Sequence, residues 1–257
     1  MTEPAAPSQW IYRPKPRPEA RVRLFCIPYA GAGASVFRTW TDDLPADVEV
    51  LAIQLPGRES RIREAPLGTL PDLLPKVSAV IAPLLDRPFA IWGHSMGALI
   101  AFELAREFRR RYALLPQHFW ASARQAPHLP ERRSPMRDLP APEFISELTR
   151  RYDGVPREVL ADSDLMKLFL PMLRADISII ETHCYIPEPP LDCPISAFGG
   201  LEDPLVREDE LNAWRVHTLQ QFQLRMLPGN HFFLQRSRMP LLKAILEDLY
   251  GTATSVD

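Results

Sequence analysis

Gly93-His94-Ser95-Met96-Gly97 stands between an apolar run, Phe89 to Trp92, and a helical run, Ala98 to Arg111, so Ser95 falls at a strand-to-helix turn. A turn of that kind holds its serine in a strained backbone and exposes Oγ at the end of a sheet. Gly93 and Gly97 fit because a Cβ at either place would collide with the neighbouring strand or helix. The first N–H groups of the following helix point at the same spot, where they can stabilise an oxyanion. The bare G-x-S-x-G string arises by chance about once in ten chains of this length, so its strand-to-helix context carries the reading.

Outward from this turn, short β-rich runs alternate with helical patterns. The strands expected are Val22 to Pro28, Val48 to Pro56, Phe89 to Trp92, His118 to Ala123, Pro194 to Gly199 and Phe222 to Leu227. Helices are expected over Leu70 to Leu85, Ala98 to Arg111, Val206 to Leu219 and Pro240 to Tyr250, where apolar residues recur every three to four positions. Such alternation builds a mostly parallel sheet covered on both faces, the α/β class. One gap, roughly 70 residues between Arg124 and Pro194, is too long for a simple crossover. Its first part, 127–142, holds prolines at 127, 130, 135, 140 and 142 and cannot be regular helix. Pro142 to Tyr152 and Ser163 to His183 are amphipathic, with Asp162, Ser163 and Asp164 available near the start of the second as caps and dipole partners. A helical lid over the site, residues 125–193, or a purely structural subdomain would both fit this insertion.

The chain of 257 residues has 46% hydrophobic content, enough for one full core. The expected layout is a proline-rich extended tail over 1–20 and one catalytic domain over 21–257. Thirty basic residues against 32 acidic ones give no bulk field for nucleic acid or an anionic membrane. The absence of an apolar leader or membrane-length run leads to the expectation of a soluble, cytoplasmic monomer. Three cysteines, Cys26, Cys184 and Cys193, allow one bridge on paper (184 to 193), though reduced thiols are expected. No metal-ligand spacing appears.

A serine nucleophile needs a general base, and the base needs an acceptor on its far nitrogen. Of six histidines, His231 is set on a loop after the last strand, behind Pro228-Gly229-Asn230. His94 sits inside the turn, His118 begins a strand, and His128, His183 and His217 lie in lid or helix contexts. Gly199-Gly200-Leu201-Glu202-Asp203-Pro204 supplies an acid at a strand end. Asp203 is preferred over Glu202 because Pro204 restricts its backbone. The loop Pro28-Tyr29-Ala30-Gly31-Ala32-Gly33-Ala34-Ser35 is small enough to approach a substrate oxygen, so the N–H of Ala30 is paired with that of Met96 as an oxyanion hole. It lacks the Gly-Lys-Ser/Thr of a phosphate loop.

In these stretches the chain resembles the type II thioesterases of polyketide and nonribosomal peptide synthetases, free-standing α/β-hydrolases. The likeness covers nearly the whole chain: Phe25 to Trp40, Gln54-Leu55-Pro56-Gly57-Arg58, Gly93 to Gly97, Arg174-Ala175-Asp176, Gly199 to Asp203 and His231-Phe232-Phe233-Leu234. The resemblance implies hydrolysis of unproductive acyl groups from the phosphopantetheine arm of acyl or peptidyl carrier proteins. The arm arrives with the substrate, and no further cofactor is implied. By position it assigns Ser95 as nucleophile, His231 as base, Asp203 as orienting acid, and Ala30 with Met96 as oxyanion hole. The chain departs from the family at Asn230, where glycine is usual; asparagine tolerates a left-handed backbone well.

A chain-terminating thioesterase domain commonly carries its acid after the strand that follows the nucleophile helix. Here Ser122-Ala123-Arg124-Gln125 offers none. A medium-chain fatty-acyl carrier-protein hydrolase, a generic carboxylesterase and a silent docking module are the other readings. Candidate carrier-facing cations are Arg132, Arg133 and Arg137, or Arg109 to Arg111, with an ordinary solvated face as the alternative.

Overall fold

The structure, a computed structural model, describes residues 9–152 and 162–251. Residues 1–8 of the expected tail and 153–161 of the expected insertion lie outside the described residues.

The strands are β1 (Ile11–Tyr12), β2 (Val22–Ile27), β3 (Val48–Ile53), β4 (Phe89–His94), β5 (Phe119–Ser122), β6 (Ile195–Gly200) and β7 (Phe222–Leu227). They form one sheet in the order β1-β3-β2-β4-β5-β6-β7, parallel throughout except for β1 against β3. The helices are α1 (Trp40–Asp43), α2 (Leu70–Ile81), α3 (Met96–Tyr112), α4 (Ala141–Arg151), α5 (Ser163–Thr182), α6 (Glu208–Asn212), α7 (Phe233–Arg236) and α8 (Arg238–Tyr250).

Strand side chains alternate between two apolar cores. Phe25, Ile27, Leu51, Ile53 and Ile91 face α2 and α3 on one side. Leu24, Cys26, Val50, Ala52 and Trp92 face Trp40 of α1 and Leu241, Leu242 and Ile245 of α8 on the other. Every residue of β2, β3 and β4 is therefore buried, which is why these strands read as nearly continuous apolar runs. With a right-handed crossover rule for parallel strands, helices end on both faces.

The chain passes from β2 to β3 on one side, then crosses back over β2 to reach β4. That reversal is the switch point where the crevice of an open α/β sheet forms, outside the carboxyl ends of β2 and β4. The loop after β2 and the Ser95 turn after β4 are thus brought together by topology alone.

The expected tail is anchored in part. Ile11 and Tyr12 pair with Ile53 and Ala52, Trp10 O accepts from Gln54 N at 2.8 Å, and Arg17 Nη1 donates to Val48 O at 2.9 Å. Over 206–219 the single helix expected is shorter, α6 followed by a 3-10 turn at Ala213–His217.

In the insertion, 125–139 carries turns without a helix, and α4 begins one residue ahead of Pro142. Of the three candidates at its start, Asp162 caps α5, its carboxylate accepting from Asp164 N at 2.9 Å and Leu165 N at 3.0 Å. α5 buries Met166, Met172, Leu173, Ile177, Ile179 and Ile180 in the core shared with α2 and α3. Among the described residues, no helix is long and apolar enough to cross a membrane. Cys26, Cys184 and Cys193 are free thiols.

Candidate active site

Ser95 sits at φ 54°, ψ −116°, the strained junction expected between β4 and α3. The two flanking glycines are required by contact. A Cβ on Gly93 would stand 2.2 Å from Gly97 O, and one on Gly97 would stand 2.2 Å from Ile27 O. Ser95 N donates to Ser122 O at 2.7 Å, which fixes the turn to the next strand.

Ser95 Oγ lies 3.0 Å from His231 Nε2, and His231 Nδ1 lies 2.8 Å from Asp203 Oδ2. Asp203 is acceptor-only when ionised, so Nδ1 carries the proton and Nε2 is left to accept from the serine hydroxyl. The Asp203 side chain has no exposed surface, and its second oxygen accepts from Leu205 N at 2.8 Å. Glu202 is exposed. The acid loop and the histidine loop touch directly: a Cβ on Gly200 would stand 2.4 Å from Gly229 O.

Asn230 does not take the left-handed backbone that asparagine would tolerate. Gly229 does, at φ +119°, while Asn230 turns its side chain to accept from Phe232 N at 3.0 Å. The departure at position 230 therefore carries no backbone strain.

His94 has a part that its sequence position hides. Its Nε2 is 2.8 Å from His231 O, and its Nδ1 is 2.8 Å from Ser122 Oγ. A carbonyl only accepts, so Nε2–H donates and Nδ1 takes the Ser122 hydroxyl proton. Burial, and then the neighbouring His231, hold its pKa well below 6.5, so this neutral form persists. His94 and Ser122 are direct cross-strand partners, two polar residues at the ends of otherwise apolar strands. That pairing is the signal that would have found them.

Above Ser95 lies a cavity of about 320 Å³. Its floor is Tyr29, Ala30, Ser95, His231 and Phe232; its roof is Leu148 and Tyr152 with Phe169, Met172, Leu173 and Ile177 of α5. The inserted helices thus cover Ser95 and His231, as a lid would. Ala30 and Met96 both adjoin Ser95, and among the described residues neither N–H has a protein acceptor. Burial raises the hydroxyl pKa of Tyr29 and of Tyr152, so both stay protonated at neutral pH. Among the described residues, no group of three or more His, Cys, Asp or Glu side chains is arranged to hold a metal ion.

The remaining histidines take structural places. His118 bonds Ser196 Oγ at 2.9 Å, and His128 and His217 bond each other at 2.8 Å. The arginines considered for carrier docking are engaged within the chain. Arg132 pairs with Glu210 and Arg137 with Asp138, while Arg133 donates to Leu205 O. Arg109 and Arg110 converge on Glu188, and Arg111 pairs with Glu107. Arg132 and Arg133 thereby tie the insertion to the segment 205–210, and Arg109 to Arg111 close the end of α3.

The family described as "Thioesterase domain" matches residues 22–250. The gramicidin S biosynthesis protein GrsT of Aneurinibacillus migulanus is 43% identical over 249 residues, covering 97% of each chain. The type II thioesterase BorB of the borrelidin biosynthetic cluster superposes with a TM-score of 0.84 at 37% identity, covering 93% of this chain and 97% of that one. The human medium-chain S-acyl fatty acid synthase thioesterase is 33% identical over 222 residues, covering 84% of this chain and 82% of its own.

Proposed function

The chain belongs to the thioesterase family, and from that premise we propose that it is a type II enzyme that clears short acyl groups, aberrant or stalled, from carrier proteins of polyketide or nonribosomal peptide synthesis. The observation that carries the chemistry is the Ser95–His231–Asp203 relay, at 3.0 and 2.8 Å, opening into a lid-covered apolar chamber.

In this reading His231 Nε2 takes the Ser95 proton as Oγ attacks the thioester carbonyl. The carbonyl oxygen becomes an oxyanion between the N–H groups of Ala30 and Met96. Collapse of the tetrahedral intermediate expels the pantetheine sulfur, which leaves with the proton from His231, and the acyl group stays on Ser95. Water then attacks the acyl-enzyme, giving its proton to His231, and Oγ recovers it as the acid departs. Asp203 stays ionised throughout and stabilises the imidazolium. Each step balances with side chains and water, so we assign no cofactor beyond the phosphopantetheine of the substrate.

Chamber size and lining support small uncharged acyl groups. At about 320 Å³ it lies at the lower end of the roughly 300–1,000 Å³ typical of small-molecule pockets, and its roof offers no charged side chain. Acetyl, propionyl, hexanoyl and dodecanoyl groups, each offered on a carrier protein and on a small thiol, test the reading. The short groups should show the highest kcat/KM, and higher on the carrier than on the thiol, because remote contacts contribute to transition-state binding. A preference for dodecanoyl carrier protein would favour the medium-chain fatty-acyl hydrolase instead.

A further inference from the structure

The lid sends one charged side chain into the body of the protein. Asp176 of α5 has no exposed surface, and Arg58, just beyond β3, is 3% exposed. The two meet in a two-pronged contact, Arg58 Nη2 to Asp176 Oδ1 at 2.7 Å and Arg58 Nη1 to Oδ2 at 2.8 Å. Such a pair is weak evidence for stability, since apolar side chains of similar size in its place are often neutral or better. The remaining bonds of the pair say more.

Asp176 Oδ2 also accepts from Gly31 N at 2.8 Å, and Arg58 Nη1 donates to Ala32 O at 3.1 Å. Gln54 continues the row, accepting from Ala34 N at 2.7 Å and donating to Arg58 O at 2.9 Å. All three side chains thus grip the backbone of the loop after β2. Within that loop Ala32 N donates to Tyr29 O at 3.1 Å, and Gly31 has φ +82° while Ala30 has negative φ. This is a type II turn, with glycine where positive φ is needed. Its central peptide, Ala30–Gly31, is the unit that flips between type I and type II geometry; the Ala30 N–H lies on the preceding peptide, Tyr29–Ala30, and is held in place through the Ala30 Cα that the two peptides share. A carboxylate bound to Gly31 N–H locks one state, and it would repel the Ala30 carbonyl oxygen in the other. Leu173, one turn before Asp176, stands 3.0 Å from where a Cβ on Gly31 would be, so the helix is seated directly on the turn.

We propose that Asp176, backed by Arg58, is the positioning residue of the oxyanion loop, and that the Ala30 donor is in place only while α5 is seated. The proposal rests on the reading of Ala30 and Met96 as the oxyanion hole. It makes the closed lid a condition of catalysis, not merely a cover.

Two double variants strand no charge and differ only in the acceptor offered to Gly31: Arg58→Met with Asp176→Leu, and Arg58→Met with Asp176→Asn. The Leu form should melt within a few degrees of the parent, lose about 30- to 100-fold in kcat on a small thioester, and keep KM within about threefold, a loss somewhat below that of deleting an oxyanion donor. Inhibition by an acyl trifluoromethyl ketone, whose adduct with Ser95 carries an oxyanion, should weaken by a similar factor. The Asn form should recover most of both losses. Asp176→Glu, which keeps the charge but moves the acceptor by one methylene, gives the same KM-sparing loss without depending on the double variants folding. A folded Leu form at parental kcat, an Asn form no better than Leu, or a loss carried mainly by KM would each overturn the proposal. The parent enzyme is the control for the underlying reading: if the trifluoromethyl ketone binds it no more tightly than the matching methyl ketone, the oxyanion hole itself is misassigned, whatever Asp176 does.

Discussion

His94 Nε2 donates to the backbone oxygen of His231 across 2.8 Å, so the residue before Ser95 holds the loop that carries His231. The two loops are separated by more than a hundred residues in sequence, yet one buried neutral imidazole links them. His94→Ala should leave all three triad side chains present and lower kcat by on the order of 10- to 100-fold, as small misplacements of reacting groups do. Steady-state kinetics with the melting temperature recorded alongside would check this. Wild-type kcat in a folded variant would show that the loop holds its place unaided.

Ser95 is predicted to act as nucleophile from a strained backbone. Ser95→Ala should remove hydrolysis and keep the fold. Ser95→Gly should also be inactive but more stable, because glycine adopts φ 54° without the cost of a Cβ. A relief of about 1 kcal/mol would raise Tm by about 2–4 °C in a chain of this size. Calorimetry of the three proteins decides it, and equal melting temperatures would mean that the turn is not a store of strain.

Asp203 accepts from His231 Nδ1 with no exposed surface, whereas Glu202 is solvent-facing. Asp203→Asn should cost about 10⁴-fold in kcat by favouring the wrong imidazole tautomer, as the matching change does in serine proteases. Glu202→Gln should be nearly silent. The reverse ranking in a hydrolysis assay would reassign the acid.

Three buried histidines set an acid limit on stability. Burial is the main cause that holds His118 and His217 at about 4 and His94 well below 6.5. In the unfolded chain each takes up its proton near pH 6.5. Between those values the unfolded state binds more protons, so stability falls as pH drops from about 6.5 toward 4, and the contribution of His118 and His217 levels off below. For His118 alone the loss is on the order of 3 kcal/mol across that window. Urea midpoints at pH 7.5, 6.0 and 4.5 should fall in that order; a constant midpoint would contradict the neutral assignments.

The sheet, and the meeting of Ser95, Asp203 and His231, were legible because each rests on local signals. Glycines flank Ser95, Pro204 follows Asp203, and a Pro-Gly turn precedes His231, each beside a strand end marked by an apolar run. Features that depend on distant partners were not. Ile11 and Tyr12 pair only because β3 needs a neighbour at that edge, and a proline-rich context hid them. Arg58 and Asp176 lie in stretches noticed for other reasons, but nothing local says that they meet. Arg132 and Arg133 read as free cations until Glu210 and Leu205 O appear beside them. Charge in a sequence carries no record of its partner.

Ser95 is predicted to remove short acyl groups from a carrier protein through an acyl-enzyme. Intact-protein mass spectrometry of an acetyl or propionyl carrier protein, quenched at intervals after mixing with the enzyme, measures both partners at once. The carrier should lose the mass of the acyl group and keep its phosphopantetheine, while a fraction of the enzyme transiently gains that mass at Ser95; with Ser95→Ala neither change should occur. An acyl carrier left intact by the wild-type enzyme, or cleaved equally well by Ser95→Ala, would rule out this route.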